Sequence, residues 1–514
     1  MRAFGTRPAF IELLAACWLM VSCGDKGSAG GGLASSWSEG ERAPNVLVVI
    51  ADDLSSAAFG AFGGDAIETP GLDRLAEGGF RFRKAICASP FCTPSRQSFL
   101  TGRWPHSIGV TQLHSALDPK SQTLATVFSK AGYRTAAFGK MHWPRKVVGD
   151  ATFGFDRVLG RKDWESALSS QDKVSYDEYR ALWQHESREG WSTLNPARQP
   201  CPLAEDRQLA PWLIEHALTH LGSDSERPSL TFLSFYEPHA PFCFPERLKD
   251  AVDPATLDWD AWDRERRARD APGLERWWRD RLRERGPFDE SEMRATVAAH
   301  LQSVLWLDEQ IAALLDELES SGLNENTIVL FWSDNGFFLG ERGVIGKSFP
   351  YRRAAEVAMS LSGPGIVPGE SAALVQTLDA FPTLCELAGI EPPADLHGRS
   401  LLPLLRGEDS IRSTAYTELV GVVASIQSNE LKLMLGAGGN TGWDLVYDLV
   451  NDPEERHALT AEQVDSNAVL ELKGEMYRLL RASPPDGFPI DEWMTQEDET
   501  DAIRWALRQI DATR

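Results

Sequence analysis

The chain has 514 residues, 42% of them hydrophobic and 25% charged, and this ordinary globular composition excludes a disordered or fibrous protein. Acidic residues number 75 and basic residues 52, giving a net charge of −23, which excludes general nucleic-acid binding because neutralising phosphates requires excess Lys and Arg. An anionic substrate is not excluded, since salt screens the global field beyond about 8–10 Å and a local pocket can be positive.

Residues 1–22 are predicted to be a signal peptide that leaves the mature chain. Their apolar run, residues 13–21, is too short to span a bilayer comfortably and ends in Val21-Ser22-Cys23-Gly24. This ending resembles a bacterial lipobox, with Cys23 as the lipidated N-terminus, and an ordinary secretory signal is the alternative. Residues 23–43, rich in Gly and Ser, are predicted to be a flexible tether.

Apolar, β-rich runs bounded by turn residues alternate with helical patterns over the next part of the chain. The predicted strands are Asn45–Ala51, Arg134–Phe138, Ser229–Tyr236, Thr327–Trp332 and, more weakly, Val357–Leu361. The predicted helices are Gly71–Gly78, Ser121–Gly132 and Ser291–Gly322. Near-continuous apolar strands alternating with helices are typical of a parallel sheet covered on both faces. The pattern therefore predicts an α/β fold with a large, doubly wound, mostly parallel sheet over residues 44–411.

Two regions differ from this alternation. Residues of about 161–300 are predicted to include a less regular insertion, and six of its tryptophans could stack on sugar rings, although packing is the simpler interpretation. These are Trp183, Trp191, Trp259, Trp262, Trp277 and Trp278. Beyond about residue 411, short alternating runs separated by turns predict a smaller C-terminal subdomain, residues 412–514, with an antiparallel sheet and terminal helices.

Polar side chains follow each of the four main predicted strands directly. They are Asp52 and Asp53, then Lys140 and His142, then His239, and finally Asp334 and Asn335. Open α/β sheets place their sites at the carboxyl ends of strands, so these side chains are expected to converge on one edge. Three carboxylates and an amide form a hard-oxygen set that suits Ca²⁺ or Mg²⁺, whereas Zn²⁺ favours more histidine. The lysine and the histidines could hold an anion beside the metal.

Cys92 is the candidate nucleophile, because it lies where Pro94 indicates the first turn of a helix, whose partial positive charge favours an anion. Thr93 is an alternative, since related phosphodiesterases use a hydroxyl. Disulfide pairing among the other cysteines outside the signal peptide cannot be assigned from the sequence; these are Cys87, Cys201, Cys243 and Cys385.

The segment Cys92-Thr93-Pro94-Ser95-Arg96, with the later turn Thr101-Gly102-Arg103, resembles the signature of the type I (formylglycine-dependent) sulfatases, in the alkaline phosphatase superfamily. In order along the chain, it is accompanied by the Asp pair, Gly-Lys-x-His, Pro-His-x-Pro, Ser-Asp-Asn-Gly and a later Gly-Lys at Gly346-Lys347. The resemblance spans about residues 45–459.

The resemblance implies a sulfuric ester hydrolase in which Cys92 is oxidised to formylglycine by a maturation enzyme. One hydroxyl of the aldehyde hydrate would attack sulfur, and collapse to the aldehyde would then expel sulfate. The implied ligands of one divalent cation, Ca²⁺ first and Mg²⁺ second, are Asp52, Asp53, Asp334, Asn335 and residue 92. Arg96 and Lys140 would hold residue 92 and the sulfate. His142 would act as base in the collapse, and His239 and Lys347 would bind sulfate oxygens and help protonate the leaving oxygen.

The implied substrate is a sulfated glycan or small molecule, and the implied location is the bacterial cell envelope, periplasmic or anchored at Cys23. Two alternatives are a phosphonate monoester or phosphodiester hydrolase of the same superfamily and a non-catalytic binder of sulfated glycans. One segment departs from the family pattern: Arg352 and Arg353 stand where acidic residues are frequent, which leaves the neighbouring subsite contacts undefined.

Overall fold

The computed structural model describes residues 42–143, 149, 151–188, 199–223, 226–257, 290–341, 345–419, 423–436, 445–460 and 462–482. The predicted signal peptide, nearly all of the predicted tether and the side chains of the six insertion tryptophans lie outside the described residues. Within these ranges, no helix combines the length and the apolar character needed to cross a membrane.

A nine-stranded sheet forms the centre of the molecule, in the order β11-β2-β10-β6-β1-β5-β3-β4, with β9 paired to β2. Its strands are β1 Asn45–Ala51, β2 Phe80–Ile86, β3 Arg134–Gly139, β4 Arg157–Leu159, β5 Ser229–Ser234, β6 Thr327–Ser333, β9 Glu356–Val357, β10 Met359–Ser362 and β11 Gly369–Gln376. A separate two-stranded sheet pairs β7 Phe338–Leu339 with β8 Ile345–Gly346. Nearly every residue of β1, β5 and β6 is buried, as expected for strands covered on both faces.

Helices cover both faces of this sheet. The α-helices of the described residues are α1 Pro70–Glu77, α2 Cys92–Thr101, α3 Leu124–Lys130, α4 Arg161–Ala167, α5 Ser170–Arg188, α6 Leu209–Leu221, α7 Glu290–Ser320, α8 Arg352–Ala355, α9 Ala380–Leu387, α10 Leu402–Leu405 and α11 Ser466–Ala482, the last of which packs on the C-terminal sheet described below. One apolar core joins the sheet to α2, α3 and α9, and a second joins it to α1, α6 and α7. The predicted doubly wound α/β fold is confirmed.

The four strands that carry the predicted site lie side by side. Strands β6, β1, β5 and β3 are neighbours and run parallel, with Ala51 opposite Ser333, Ile50 opposite Ser234, and Gly139 opposite Ser234. Their carboxyl ends therefore meet at one edge of the sheet.

The structure corrects one detail of the strand assignment. The predicted strand Val357–Leu361 is divided at Ala358, and its second part, β10, runs antiparallel to β6. The insertion within about residues 161–300 remains a prediction, and the described part of this range also contributes β5 to the middle of the sheet and α6 to its cover.

The predicted C-terminal antiparallel sheet is confirmed as β12 Ala415–Leu419, β13 Val423–Gln427, β14 Leu431–Gly436 and β15 Leu445–Asp448, which pair in chain order. Helix α11 packs its apolar side on this sheet. Glu418 of β12 accepts hydrogen bonds from the backbone N–H of His106 (2.9 Å) and contacts its Nδ1 (2.7 Å), which ties the small sheet to the large domain. A domain boundary near residue 411 remains a prediction.

Candidate active site

The predicted site residues come together at the carboxyl edge of the sheet. Asp52 and Asp53 follow β1, Lys140 follows β3, and Asp334 and Asn335 follow β6. The backbone N–H of Asp53 donates to Asp334 Oδ1 at 3.1 Å, and Asn335 Nδ2 donates to Asp53 Oδ1 at 2.6 Å. These contacts fix the ends of two neighbouring strands against each other.

Three residues at this edge of the sheet have positive φ angles, which set the direction of the chain there. Gly139 has φ of +105°, and a Cβ there would meet the carbonyl oxygen of Ser234 at 1.8 Å, so only glycine fits where β3 turns toward Lys140. Asp53 and His142 have φ of 66° and 58°, a left-handed conformation that is uncommon for residues other than glycine. Such conformations persist where surrounding contacts hold them, and they cluster at functional sites.

Cys92 is the first residue of α2 and lies at the centre of the site. Its Sγ is 3.5 Å from Asp52 Oδ1, 3.9 Å from Asp53 Oδ1 and 3.9 Å from Lys140 Nζ, and it contacts Lys347 Nζ. Burial raises the pKa of the Cys92 thiol well above its usual range, although Lys140 and Lys347 oppose the shift. The unmodified side chain is therefore a protonated thiol at neutral pH.

The alternative nucleophile, Thr93, is engaged elsewhere. Its hydroxyl donates to the carbonyl of Leu113 at 2.9 Å, whereas the Cys92 sulfur is beside the carboxylates. Among the two adjacent candidates, the geometry favours residue 92.

Arg96, on α2, is hydrogen-bonded to several residues of the site. Its Nε donates to Asp334 Oδ2 at 2.7 Å, and its Nη1 donates to the Lys140 carbonyl (2.6 Å) and to Ser234 Oγ (2.7 Å). The guanidinium thus connects the ends of β3, β5 and β6. These bonds hold the neighbours of residue 92 in place, and Nη2, which is buried without a hydrogen-bond partner among the described residues, lies 3.5 Å from Asp52 Oδ1.

The charges of the site are nearly balanced. Three carboxylates, Asp52, Asp53 and Asp334, face three cations, Arg96, Lys140 and Lys347, with Lys140 bonded to Asp52 and Lys347 bonded to Asp53. Burial alone would raise the pKa of Asp52, but the nearby cations, Lys140 foremost, hold it well below its usual range. A divalent cation added to this set would make the pocket positive.

The described residues include a group of side chains close enough together to hold such a cation. One potential ligand atom each from Asp52, Asp53, Cys92 and His239, two of them carboxylate oxygens, lies within 4.8 Å of all the others. Asp53 Oδ2 and Asn335 Oδ1 are buried and have no hydrogen-bond partner within the described part of the chain. Buried carboxylate and amide oxygens left without donors are costly unless something else satisfies them, and a hard cation does so.

Two histidines at the site are neutral at physiological pH. Burial, with the neighbouring Lys140, lowers the pKa of His239 to about 4 and that of His142 to about 2. His239 Nδ1 is 2.5 Å from the Ala240 carbonyl and so carries the proton of the neutral ring, which leaves Nε2 as an acceptor 3.7 Å from Asp53 Oδ2. This arrangement suits His239 as a ligand or base better than as the proton donor that the sequence suggested.

The structure adds residues that the sequence did not single out. Ser234 is the last residue of β5 and accepts from Arg96. His300 on α7 is fully buried, stacks on Phe337 with 5.4 Å between ring centroids, and has its pKa lowered to about 4 by burial. Ser234 resembled an ordinary strand residue, and His300 fell in a long helical pattern without any motif, so neither gave a signal.

The arginines that depart from the family pattern have acidic partners. Arg352 bonds to Glu454 (2.6 Å) and Glu356 (3.1 Å), and Arg353 is 3.1 Å from Glu454. Because Glu454 follows β15 in the C-terminal part of the chain, these ion pairs connect the large domain with that part.

Comparison with known proteins agrees with this geometry. The family model described as Sulfatase matches residues 44–390, and one described as N-sulphoglucosamine sulphohydrolase, C-terminal, matches residues 340–482. A choline-sulfatase of Rhizobium meliloti is 27% identical, over 91% of this chain and 88% of the relative. An N-acetylglucosamine-6-O-sulfatase of Bacteroides thetaiotaomicron is 26% identical, over 82% and 83%.

Solved structures show the same fold. A phosphonate monoester hydrolase of Agrobacterium radiobacter superposes with a TM-score of 0.66 at 21% identity, covering 85% of this chain and 95% of that one. A structure in complex with its substrate D-glucosamine-2-N,6-O-disulfate gives a TM-score of 0.63 at 23% identity, covering 87% and 100%.

The doubly wound sheet, with acidic, basic and cysteine side chains gathered at one edge, is consistent with the match to the Sulfatase family model over residues 44–390. The chain belongs to the sulfatase family, whose model matches well over half of it, and the enzyme class is that of the sulfuric ester hydrolases.

Proposed function

We propose that the protein hydrolyses a sulfate ester at residue 92, after conversion of Cys92 to formylglycine. The observation that carries the proposal is the position of the Cys92 side chain, buried between two ammonium groups and two carboxylates at the start of α2. The raised pKa of the thiol supports conversion, because a protonated thiol is a poor nucleophile. The hydrate of formylglycine offers two hydroxyls on one carbon, one for attack and one for release.

The chain's own cations have defined tasks in this proposal. Lys140 and Lys347 approach residue 92 from two directions, where they would bind the sulfate oxygens and stabilise charge that develops during attack. Lys347 would also donate a proton to the leaving oxygen. We do not assign this step to His239, because its Nε2 is an acceptor and carries no proton to give. His142, neutral at physiological pH, would act as base toward the second hydroxyl. Arg96 keeps Lys140 and Asp334 in place.

We assign the metal site to the oxygens of Asp52, Asp53, Asp334 and Asn335, with residue 92, and we propose Ca²⁺, with Mg²⁺ as the alternative. Their hard-oxygen chemistry and the two unsatisfied oxygens support this assignment. When bound, the cation supplies Lewis-acid polarisation and orients the reacting groups.

The proposed substrate is a sulfated glycan or a sulfated small molecule. Relatives are named for N-acetylglucosamine-6-O-sulfate, ulvan and choline sulfate. These names include both sulfated sugars and a sulfated small molecule, so both classes of substrate are proposed. We further propose export to the bacterial cell envelope, lipid attachment at Cys23 and modification by a formylglycine-generating enzyme, all on the sequence signals described above.

Replacement of Cys92 by alanine is expected to lower kcat/KM for an aryl sulfate by at least about 1,000-fold, because the nucleophile is lost. Cys87→Ala is the matched control, since Cys87 is also buried but its Sγ contacts the Ser89 carbonyl at 3.1 Å, away from the carboxylates. Steady-state kinetics of both variants measures the difference. Full activity in the Cys92 variant would contradict the proposed function.

Removal of divalent cations by a chelator is expected to abolish turnover, and Ca²⁺ or Mg²⁺ is expected to restore it. The readouts are aryl sulfate hydrolysis and the thermal unfolding temperature, which should also fall because four buried ligand side chains lose their partner. Restoration by Zn²⁺ alone would contradict the oxygen-ligand assignment.

The same fold in a phosphonate monoester hydrolase keeps that activity as a second candidate. Competing rates on a sulfate ester and a phosphonate or phosphate ester with the same leaving group separate the two. A higher kcat/KM for the sulfate ester is expected, and a preference for the phosphorus ester would favour the second candidate.

A further inference from the structure

A cavity of about 440 Å³ opens beside the proposed reaction centre. Lys140 and His142 line it on the side of residue 92, and Arg161, at the start of α4, lines it together with Tyr236. A substrate whose sulfate lies at Lys140 would therefore extend the remainder of the molecule toward Arg161.

Arg161 lacks the partners that the other cavity arginine has. Its guanidinium stacks 4.1 Å from the ring centroid of Tyr236, its Nε is buried without a hydrogen-bond partner, and no carboxylate of the described residues forms an ion pair with it. Arg180, in the same cavity, is instead paired with Glu165 at 3.1 Å and Asp177 at 3.2 Å. The carboxylates of Glu237 and Glu165 act on the Arg161 guanidinium electrostatically without forming an ion pair with it. A stacked guanidinium whose ion-pair partner is absent from the described residues is a preorganised anion-binding group.

We propose that Arg161 binds a second anionic group of the substrate, a carboxylate or another sulfate on the alcohol part. The proposal rests on the proposed function for the first anion, which is the sulfate at residue 92. Tyr236 precedes Glu237 and His239 on the loop after β5, so the stacking contact fixes Arg161 relative to the reaction centre. A guanidinium matches the two oxygens of a carboxylate or sulfate better than an ammonium does. The substrate class is then a sulfate ester that carries a second negative charge.

The test compares phenyl sulfate with derivatives that carry a carboxylate on alkyl arms of increasing length. The wild type is expected to prefer at least one carboxylated ester. Arg161→Met is expected to lower kcat/KM for that ester about tenfold or more, mainly through KM, and to leave phenyl sulfate within about twofold. Arg180→Met is the matched control and is expected to change both esters alike, and Arg161→Lys is expected to fall between wild type and Arg161→Met.

Two results would overturn the assignment: no preference for any carboxylated ester in the wild type, or equal losses on both esters in Arg161→Met. If neither ester is hydrolysed, the proposed function fails, and calorimetric affinities then test Arg161 separately. A gain in affinity that depends on the carboxylate and disappears in Arg161→Met supports the assignment, and equal affinities contradict it.

A second inference concerns two cysteines on the far side of Arg161. Cys201 and Cys243 line a small cavity of about 40 Å³ next to Trp164 and Tyr176. The backbone N–H of Cys201 donates to the Phe244 carbonyl at 2.8 Å, which brings the segment of Cys201 alongside that of Cys243. Both side chains line this cavity, and the interaction between them lowers the pKa of Cys201 and raises that of Cys243.

We infer that Cys201 and Cys243 form a disulfide on exposure to a disulfide oxidant. Thiol–disulfide exchange would make the Cys201–Cys243 sulfur–sulfur bond, break that of the oxidant and release two thiols, so the chain is oxidised by two electrons. The bond would fasten the segment around Cys201 to the loop that also carries His239. Cys87 and Cys385 lie in the first core, apart from this pair.

Mass spectrometry tests the pairing. The full chain is equilibrated with oxidised glutathione, denatured in the presence of an alkylating agent and digested without reduction. A crosslinked peptide joining Cys201 to Cys243 is expected, with Cys87 and Cys385 alkylated. Alkylated thiols or glutathione adducts at Cys201 and Cys243 would overturn it. Cys243→Ser should lower the unfolding temperature of the oxidised protein and not that of the reduced protein, and equal effects on both would also argue against the bond.

Discussion

At the scale of single residues, the site combines groups whose properties depend on burial. The same exclusion of water that raises the pKa of the Cys92 thiol lowers the pKa values of His142 and His239. Each shift favours the neutral form of its group. The positive charges that remain are those of Lys140, Lys347 and Arg96, and the two lysines are the ones that lie beside residue 92 itself.

The histidine pKa values predict the pH dependence of catalysis. Burial lowers them to about 4 for His239 and about 2 for His142, so both rings have lost their proton well below neutral pH and the base form is present throughout pH 6–8. The profile of kcat/KM, which reports the free enzyme, is therefore expected to show no inflection between pH 6 and 8 from these rings. An inflection there that disappears in His142→Gln or His239→Gln would contradict this account.

At the scale of elements, the sequence predicted the centre of the sheet well because β1, β3, β5 and β6 are continuous apolar runs. It missed β2 and β11, which lie together at one side of the sheet, for a physical reason. Strand β2, FRFRKAI, carries three basic residues and is only partly buried, and β11 begins with exposed polar residues and contains a register shift. Periodicity detects strands that are buried along their whole length, and these two are not.

The arrangement of the candidate site was predicted in part. Residues that directly follow a buried strand or lie in a motif were singled out, because adjacency to a strand end is visible in the chain, and their catalytic and metal-binding roles stay predictions. Arg161, which lines the adjoining cavity, and buried His300 were not singled out, since each lies on a helix and is positioned by tertiary packing. The acceptor orientation of His239 depends on its hydrogen bond to a backbone carbonyl, which no sequence pattern records.

A buried hydrogen bond connects helices α7 and α1. Asp308 of α7 accepts it from the backbone N–H of Leu72 in α1 at 2.7 Å. Asp308→Ala is expected to lower the free energy of unfolding by about 1 kcal/mol, because the first turn of α1 loses an acceptor. Urea denaturation measures the change. Asp316→Ala, at an exposed position of the same helix, is the control and should have little effect.

The loss at Asp308 should also depend on pH in a defined direction. Burial raises the pKa of Asp308 to about 6, above its ordinary value of 3.8, so the folded state binds the proton more tightly than the unfolded state. The stability contributed by Asp308 therefore grows as the pH falls from about 7 to about 4. A loss on mutation that shrinks over this range would contradict the assignment.

At the scale of the whole molecule, the C-terminal sheet is joined to the large domain by buried polar contacts as well as apolar ones. Glu418 is fully buried and is bonded to His106 of the large domain and to Tyr416 Oη (2.9 Å). Glu455, which pairs with buried Lys432 at 2.7 Å, accepts a hydrogen bond from the backbone N–H of Arg352 in the large domain at 2.9 Å. Buried charges of this kind depend on their partners, so the two parts are expected to unfold together.

Glu418→Ala is expected to lower the free energy of unfolding by about 3 kcal/mol and to keep a single transition, because it leaves His106 and Tyr416 without their acceptor. Chemical denaturation followed by tryptophan fluorescence and circular dichroism measures both quantities. Glu430→Ala, at an exposed position between β13 and β14, is the control. Two separated transitions in the wild type would show that the parts fold independently.

The net charge of −23 describes the surface of the molecule more than its site. At the site, three carboxylates meet three cations, so the local balance is near zero before a metal binds and positive afterwards. An acidic protein can in this way bind an anionic ester, because the ionic atmosphere screens the surface while the buried pocket is screened much less.

The central claim is that residue 92 acts as formylglycine in sulfate-ester hydrolysis, and mass spectrometry of the peptide containing residue 92 tests it most directly. The protein should be taken from its native host and shown to hydrolyse an aryl sulfate in the same preparation. In active protein, the peptide that contains residue 92 is expected to have the mass of the aldehyde or of its hydrate. An unmodified thiol at position 92 in fully active protein would contradict it.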